Sequence, residues 1–139
     1  MLTLFKGIIF GSLLVTASIQ DIKKREVSNC IHVLIVFTAF INFNIDLLLP
    51  MVIGATLTPL PLFIASMLRK DSIGGADIKL MAASGLLLGV SKGLSALIIG
   101  LLLAVVITYI IRKIQHKSLN ESFPLVPYLA IGIITAYLL

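Results

Sequence analysis

The chain has six acidic side chains, and two of them, Asp21 and Asp77, each adjoin a long apolar run. Asp21 closes the first such run, and Asp77 stands in "SIGGADIKL", just ahead of a later one. A carboxylate well inside a bilayer costs about 2.5–3.5 kcal/mol on insertion scales, so an acid at the edge of an apolar run calls for a reason. Two reasons are structural. Asp77 suits the positive end of a helix dipole, and Asp21 suits an interfacial position paired with Lys24 or Arg25. The third is chemical. Two carboxyls brought to one place cannot both ionise easily, so the pair holds one proton. One acid can then activate water while its protonated partner polarises a scissile carbonyl and later supplies the leaving amine with a proton. Such a pair titrates as a unit. Its chemistry is that of an aspartic protease.

The elements that must position these acids are membrane helices. The sequence has 139 residues, 59% of them hydrophobic and 12% charged, against roughly 45–50% and 25% in an average soluble domain. Mean hydropathy is +1.14. Runs such as "LSALIIGLLLAVVITYII" lack the alternation of a membrane barrel strand, which leaves helices to satisfy the backbone in lipid. Six segments approach the roughly 20 residues that span a bilayer core: Leu2 to Gln20, Asn29 to Phe43, Leu47 to Leu68, Ile78 to Val90, Leu94 to Ile111 and Phe123 to Leu139. The second and fourth are short, which places them at a locally thin region or extends them into flanking polar residues. The expected fold is all-α, a polytopic membrane protein with about six transmembrane helices in one bundle. Residues 1–139 are read as a single domain, since no linker or repeat divides them.

Charge orients this bundle. The net charge is +5, but no basic segment is interleaved with stacking aromatics, so nucleic acid is not an expected partner. Nine of the eleven basic residues, including Lys23, Lys24, Arg25, Arg69, Lys70, Lys79, Arg112, Lys113 and Lys117, fall on one side of the six spans, leaving Lys6 and Lys92 on the other. Cytoplasmic loops retain Lys and Arg, so both termini are expected outside and three loops inside. Asp21 and Asp77 then lie at the same depth near the cytoplasmic face. The N-terminal "MLTLFKGIIFGSLLVTASIQD" has some features of a secretory signal, but removing it would destroy the charge asymmetry.

At this point the sequence resembles the prepilin peptidase (type IV leader peptidase) family, membrane aspartic endopeptidases of the GxGD type. "DIKKREVSN" is similar to the family's first motif, with Asp21 and Asn29 in register and Arg25 between them. "GGADIKL" is similar to the second, through Gly74, Asp77, Lys79 and Leu80. "ASGLLLG" resembles the family's small-residue fourth helix, and "FPLVPYLAIG" the opening of its last helix, through Pro124, Pro127 and Gly132. The resemblance implies Asp21 and Asp77 as the catalytic pair, Gly74, Gly75, Ala76 and Lys79 as the active-site loop, and Arg25 and Asn29 in support. It implies removal of the leader from type IV prepilins or prepilin-like proteins at the cytoplasmic face of a bacterial plasma membrane. The partners are a prepilin or pseudopilin precursor and the lipid bilayer, with no metal or organic cofactor. Two positions depart from the pattern: Ala76 replaces a Gly and Ser28 replaces a Pro. Ala does not reach positive φ freely, so the turn must avoid that conformation at residue 76 or move it to Gly75. The first inner loop carries no paired cysteines, and Cys30 stands alone, so the resemblance is to short, peptidase-only members, with methylation of the product assigned to another protein.

Other sites weigh less. "GVSKG", Gly89 to Gly93, fits the spelling of a nucleophile elbow but lies in an outer hairpin rather than a strand-to-helix turn. Ser84 in "AASG", with His32 and His116, makes no supported serine site; Ser84 is expected to hydrogen-bond between helices. Gly7/Gly11 and Gly85/Gly89 have the spacing of close helix packing. Lys79 either enforces topology or holds Asp77 and lipid phosphate. Pro59 and Pro61 are expected to kink or break the third span. "NES", Asn120 to Ser122, is an incidental glycosylation spelling in an inner loop. The reading from another class is a non-catalytic membrane scaffold or transport subunit of a pilus or secretion assembly, in which neither acid matters to proteolysis.

Overall fold

The computed structural model describes residues 1–69, 73–116 and 123–139. Lys70, Asp71, Ser72, Lys117, Glu121 and the "NES" spelling lie outside them. Among the described residues the regular structure is all helix: α1 (Leu2–Lys24), α2 (Asn29–Ala39), a 3-10 turn at Ile45–Leu47, α3 (Leu48–Leu57), α4 (Leu60–Leu68), α5 (Gly75–Gln115) and α6 (Val126–Leu138). Leu2–Lys24, Ile45–Leu68 and Gly75–Gln115 are each long and apolar enough to cross a membrane, and α2 and α6 are shorter apolar helices. Side chains such as Leu4, Ile8, Leu49, Met67 and Ile114 face outward. An apolar exterior around hydrogen-bonded helices is what lipid requires.

α5 is two legs rather than one rod. Gly89 has φ 76° and ψ 179° inside it. A Cβ placed on Gly93 would lie 3.6 Å from the Cα of Gly85, whereas residues eight apart in an unbroken helix are separated by about 12 Å. The chain therefore reverses at Gly89, a backbone conformation that a side chain would strain. Residues 75–88 form the first arm and 90–115 the second, matching the fourth and fifth expected spans. Gly89 is thus the turn itself, and with Gly85 it also lines the close approach to α3.

Close backbone approach explains which helices sit beside α5. A Cβ on Gly54 of α3 would collide with the Gly85 carbonyl and come 2.8 Å from the Gly89 Cα. Thr58, fully buried just after α3, shares its single hydroxyl hydrogen between Gly54 O at 2.7 Å and Met81 O at 2.9 Å. On the second arm, a Cβ on Gly132 of α6 would collide with the Ala96 carbonyl. Without a hydrophobic drive between helices in lipid, such small-residue seams supply the packing. A Cβ on Gly7 would press on Tyr137 of α6, but one on Gly11 would meet nothing within 4 Å, so the first small-residue pair packs closely at one glycine only. α5 thus packs against α2, α3, α4 and α6, while α1 packs against α2 and α6. The backbones of α1 and α5 do not meet.

Several boundaries shift for identifiable reasons. α1 runs past Gln20 to Lys24 and ends on Arg25 in the left-handed region (φ 57°), whose N–H bonds Asp21 O. Asp21 is therefore in the helix's last turn, and the first loop shrinks to residues 25–28. α2 stops at Ala39 rather than Phe43; the Lys6 ammonium takes Ala39 O at 3.1 Å and Ile41 O at 3.2 Å. Helix-end carbonyls need such donors, which accounts for a lysine on the minority side. The third span breaks between Leu57 and Leu60, at Thr58 and Pro59, as proline's missing N–H dictates. Ser84 is buried with no hydrogen-bond partner for Oγ among the described residues, contrary to its expected role.

The α3–α5 seam yields a stability test. Gly54→Ala should lower the stability of the detergent-solubilised protein by about 1–3 kcal/mol through overpacking against backbone, whereas Gly11→Ala should leave the thermal midpoint unchanged.

Candidate functional site

Four helix ends meet where Asp21 and Asp77 lie: the end of α1 and the starts of α2, α5 and α6. Asp21 and Asp77 are buried, with 7% and 6% of their surface exposed. A buried carboxyl needs hydrogen-bond donors, and each acid finds a helix start. Asp21 Oδ2 accepts from the Val126 N–H of α6 at 3.1 Å, and the charge of Arg25 also bears on it. Asp77 Oδ2 accepts from the Gly74 N–H at 3.2 Å, while the Asp77 N–H returns a bond to Gly74 O at 3.1 Å. This reciprocal pairing closes the first turn of α5 in the manner of a capping box. The charge of Asp21 also acts on Asp77. Two acids from separate helices therefore share one electrostatic environment.

The glycine-rich approach has a simple geometry. Gly74 is extended (φ −70°, ψ 143°), and α5 begins at Gly75. Neither glycine has positive φ, and Ala76 is helical. The turn thus avoids at residue 76 the conformation that Ala disfavours, so the departure from Gly imposes no strain. A Cβ on Gly74 would stand 3.2 Å from Asp77 Oδ2, whereas one on Gly75 would meet open space. Gly74 leaves room for the carboxylate; Gly75 does not have that task.

The first loop and α2 are tied by polar side chains. Ser28 caps α2, its Oγ accepting from the Cys30 N–H at 3.3 Å, and its own N–H bonds Gln20 Oε1 at 2.9 Å. A proline at this position lacks that N–H, so Ser28 replaces a rigid residue with two hydrogen bonds. Lys79 reaches Asn29 Oδ1 at 3.0 Å rather than Asp77, linking the two motifs across 50 residues. Arg25 and Asn29 are exposed at the rim.

Three features were missed in the sequence reading. The Val126 N–H is a backbone group, recognisable only once α6 is seen to start against Asp21. His32, weighed only for serine chemistry, is buried and places Nε2 3.2 Å from Ala76 O. Arg112, read as a topology marker, is buried with its guanidinium 5.8 Å over the Phe123 ring. A helical period that places a polar residue on an otherwise apolar face, as at His32 in "NCIHVLIV", is the signal available for the second. Among the described residues no group of three or more His, Cys, Asp or Glu is placed to hold a metal ion.

Comparison with known proteins gives two matches. The sequence model described as the type IV leader peptidase family matches residues 8–110, a stretch that includes Asp21 and Asp77. The chain is similar to the prepilin leader peptidase/N-methyltransferase of Bacillus subtilis (strain 168), with 29% identity over 143 residues, covering 99% of this chain and 56% of that protein. It therefore spans about half the length of the curated relative it matches. No solved structure matches it.

The bond from Val126 to Asp21 separates shape from charge. Asp21→Asn retains an acceptor for that buried N–H, and Asp21→Ala does not. Asp21→Ala should therefore be less stable than Asp21→Asn by about 1–3 kcal/mol, measured as the difference between their thermal unfolding midpoints in detergent.

Proposed function

Because the chain belongs to the type IV leader peptidase family, we propose that it is a membrane aspartic endopeptidase that removes the leader from type IV prepilins or prepilin-like precursors, with Asp21 and Asp77 as its catalytic pair. The observation that carries this reading is the burial of two acids, drawn from different helices, at one end of an apolar bundle, with the charge of Asp21 acting on Asp77. Two like charges so placed favour a shared proton. One carboxylate then takes a proton from water, and the water oxygen attacks the scissile carbonyl carbon. The protonated partner hydrogen-bonds the carbonyl oxygen and stabilises the charge that develops there. Transfer of a proton to the leaving nitrogen lets the C–N bond break.

The remaining parts take supporting roles in this proposal. Gly74 keeps space open at Asp77, Gly75 and Ala76 begin the helix that carries it, and Lys79 with Asn29 joins the two motif-bearing segments. Arg25 sets its charge near Asp21. In this reading that end of the bundle faces the cytoplasm of a bacterial plasma membrane, which the tendency of inner loops to retain Lys and Arg supports. The precursor's own apolar helix lies in the bilayer beside the enzyme, and its extended cleavage segment reaches the pair from the cytoplasm.

Co-expression with a type IV prepilin tests the reading. Asp21→Asn and Asp77→Asn should each lower leader removal by at least about 100-fold, the lower range for a positioned acid or base, with the variant still in the membrane. Asp46→Asn, in the 3-10 turn, should process normally. Normal processing by either of the first two ends the aspartic-pair proposal. Within the same assay, Gly74→Ala should be slower than Gly75→Ala, because only the former presses a methyl group onto the Asp77 carboxylate.

A further inference from the structure

His32 lies one helical turn after Asn29 on α2, and both face the first turn of α5. Its ring is buried, with 7% of the residue exposed. Nε2 stands 3.2 Å from Ala76 O. A carbonyl only accepts, so Nε2 carries the hydrogen, and in the neutral ring Nδ1 is left as the acceptor. Among the described residues that Nδ1 is buried without a hydrogen-bond partner, with the Ser28 backbone also bearing on the ring. A leucine would fill the position without an orphaned nitrogen, so packing alone does not account for a histidine there. What the ring gains is the Ala76 carbonyl.

That carbonyl belongs to the peptide plane joining Ala76 to Asp77. The plane is rigid, and it is held at both edges: its oxygen by His32 Nε2, its N–H by Gly74 O at 3.1 Å. Gly74 in turn donates its own N–H to Asp77 Oδ2. Since the backbones of α1 and α5 do not meet, the start of α5 needs an external reference to hold Asp77 within the field of Asp21. We propose that His32 is a positioning residue for the cleavage reaction, setting the direction of Asp77 by anchoring the Ala76–Asp77 peptide to α2. The inference rests on the aspartate-pair reading. In this role His32 acts through Asp77 rather than on the substrate itself.

The test uses the full chain purified in detergent, with a type IV prepilin precursor as substrate and rates expressed per folded molecule. His32→Leu should lower kcat by about 10- to 100-fold, the scale of a misplacement near 1 Å, with KM little changed. His32→Gln, whose amide nitrogen can reach the place of Nε2, should restore most of kcat. A purely structural role would instead lower the folded yield and leave kcat per folded molecule intact. In the unmutated protein, nitrogen-15 spectra of the histidines, assigned with His116→Gln, should show His32 protonated at Nε2 and bare at Nδ1; this reading stands even where His32→Leu does not fold. The proposal is overturned by wild-type kcat in His32→Leu, by a His32→Gln no faster than His32→Leu, or by a ring bare at Nε2. Asp21→Asn and Asp77→Asn run in parallel. Their inactivity beside a fully active His32→Leu removes this inference alone, and their activity removes the pair reading beneath it.

Discussion

Two acidic side chains held near each other in an apolar bundle set the terms for everything around them. Their mutual repulsion and the loss of water both work against the arrangement. The helices that carry them offer no direct help, because α1 and α5 do not pack backbone to backbone. The separation of the acids is instead set by two spacers. α6 contacts both carriers and gives Asp21 its Val126 N–H, while α2 contacts both and grips the start of α5 through His32 and Asn29. Each acid is also matched to a helix start, where unpaired N–H groups and the dipole favour negative charge. The local fields thus offset part of what burial costs.

The rest of the fold makes that arrangement rigid. Gly89 turns the longest helix back on itself, and the glycine seam with α3 and the seam with α6 fix its two arms. Thr58 adds a hydrogen bond from the proline break to Met81, one turn beyond Asp77 on the same arm. A break in one span thereby becomes a tie to its neighbour. The opposite end of the bundle has its own fastening in Lys6, which closes the end of α2.

Much of this was legible in the sequence, because hydropathy records membrane legs directly and acids at their edges stand out against it. The reversal within Gly75–Gln115 was visible as a gap between two apolar runs, although its pivot is Gly89 and not the residues after it. Helix ends were less legible. α1 continues through charged Lys23 and Lys24 because helix formation there is limited by Arg25's left-handed conformation, not by polarity. α2 ends early although Ile41 and Phe43 are apolar, because Lys6, distant in sequence, supplies donors for its last carbonyls. The same limit applies to the site. Asp21 and Asp77 have residue identities that suggest chemistry, whereas the Val126 N–H has none and His32 acquires meaning only from the carbonyl it meets.

The Val126–Asp21 hydrogen bond joins groups 105 residues apart, which gives the site an order of assembly. The ties within the α1–α2 pair, from Gln20 to Ser28 and from Lys6 to Ala39, involve chain that emerges early from the ribosome. Asp21 is then already built into its helix but has no α6 to receive it. Only after residue 126 has been synthesised and its helix seated can the acid obtain that partner. Completion of the site therefore reports that the surrounding bundle has already assembled, so a chain stalled partway through insertion lacks the finished arrangement.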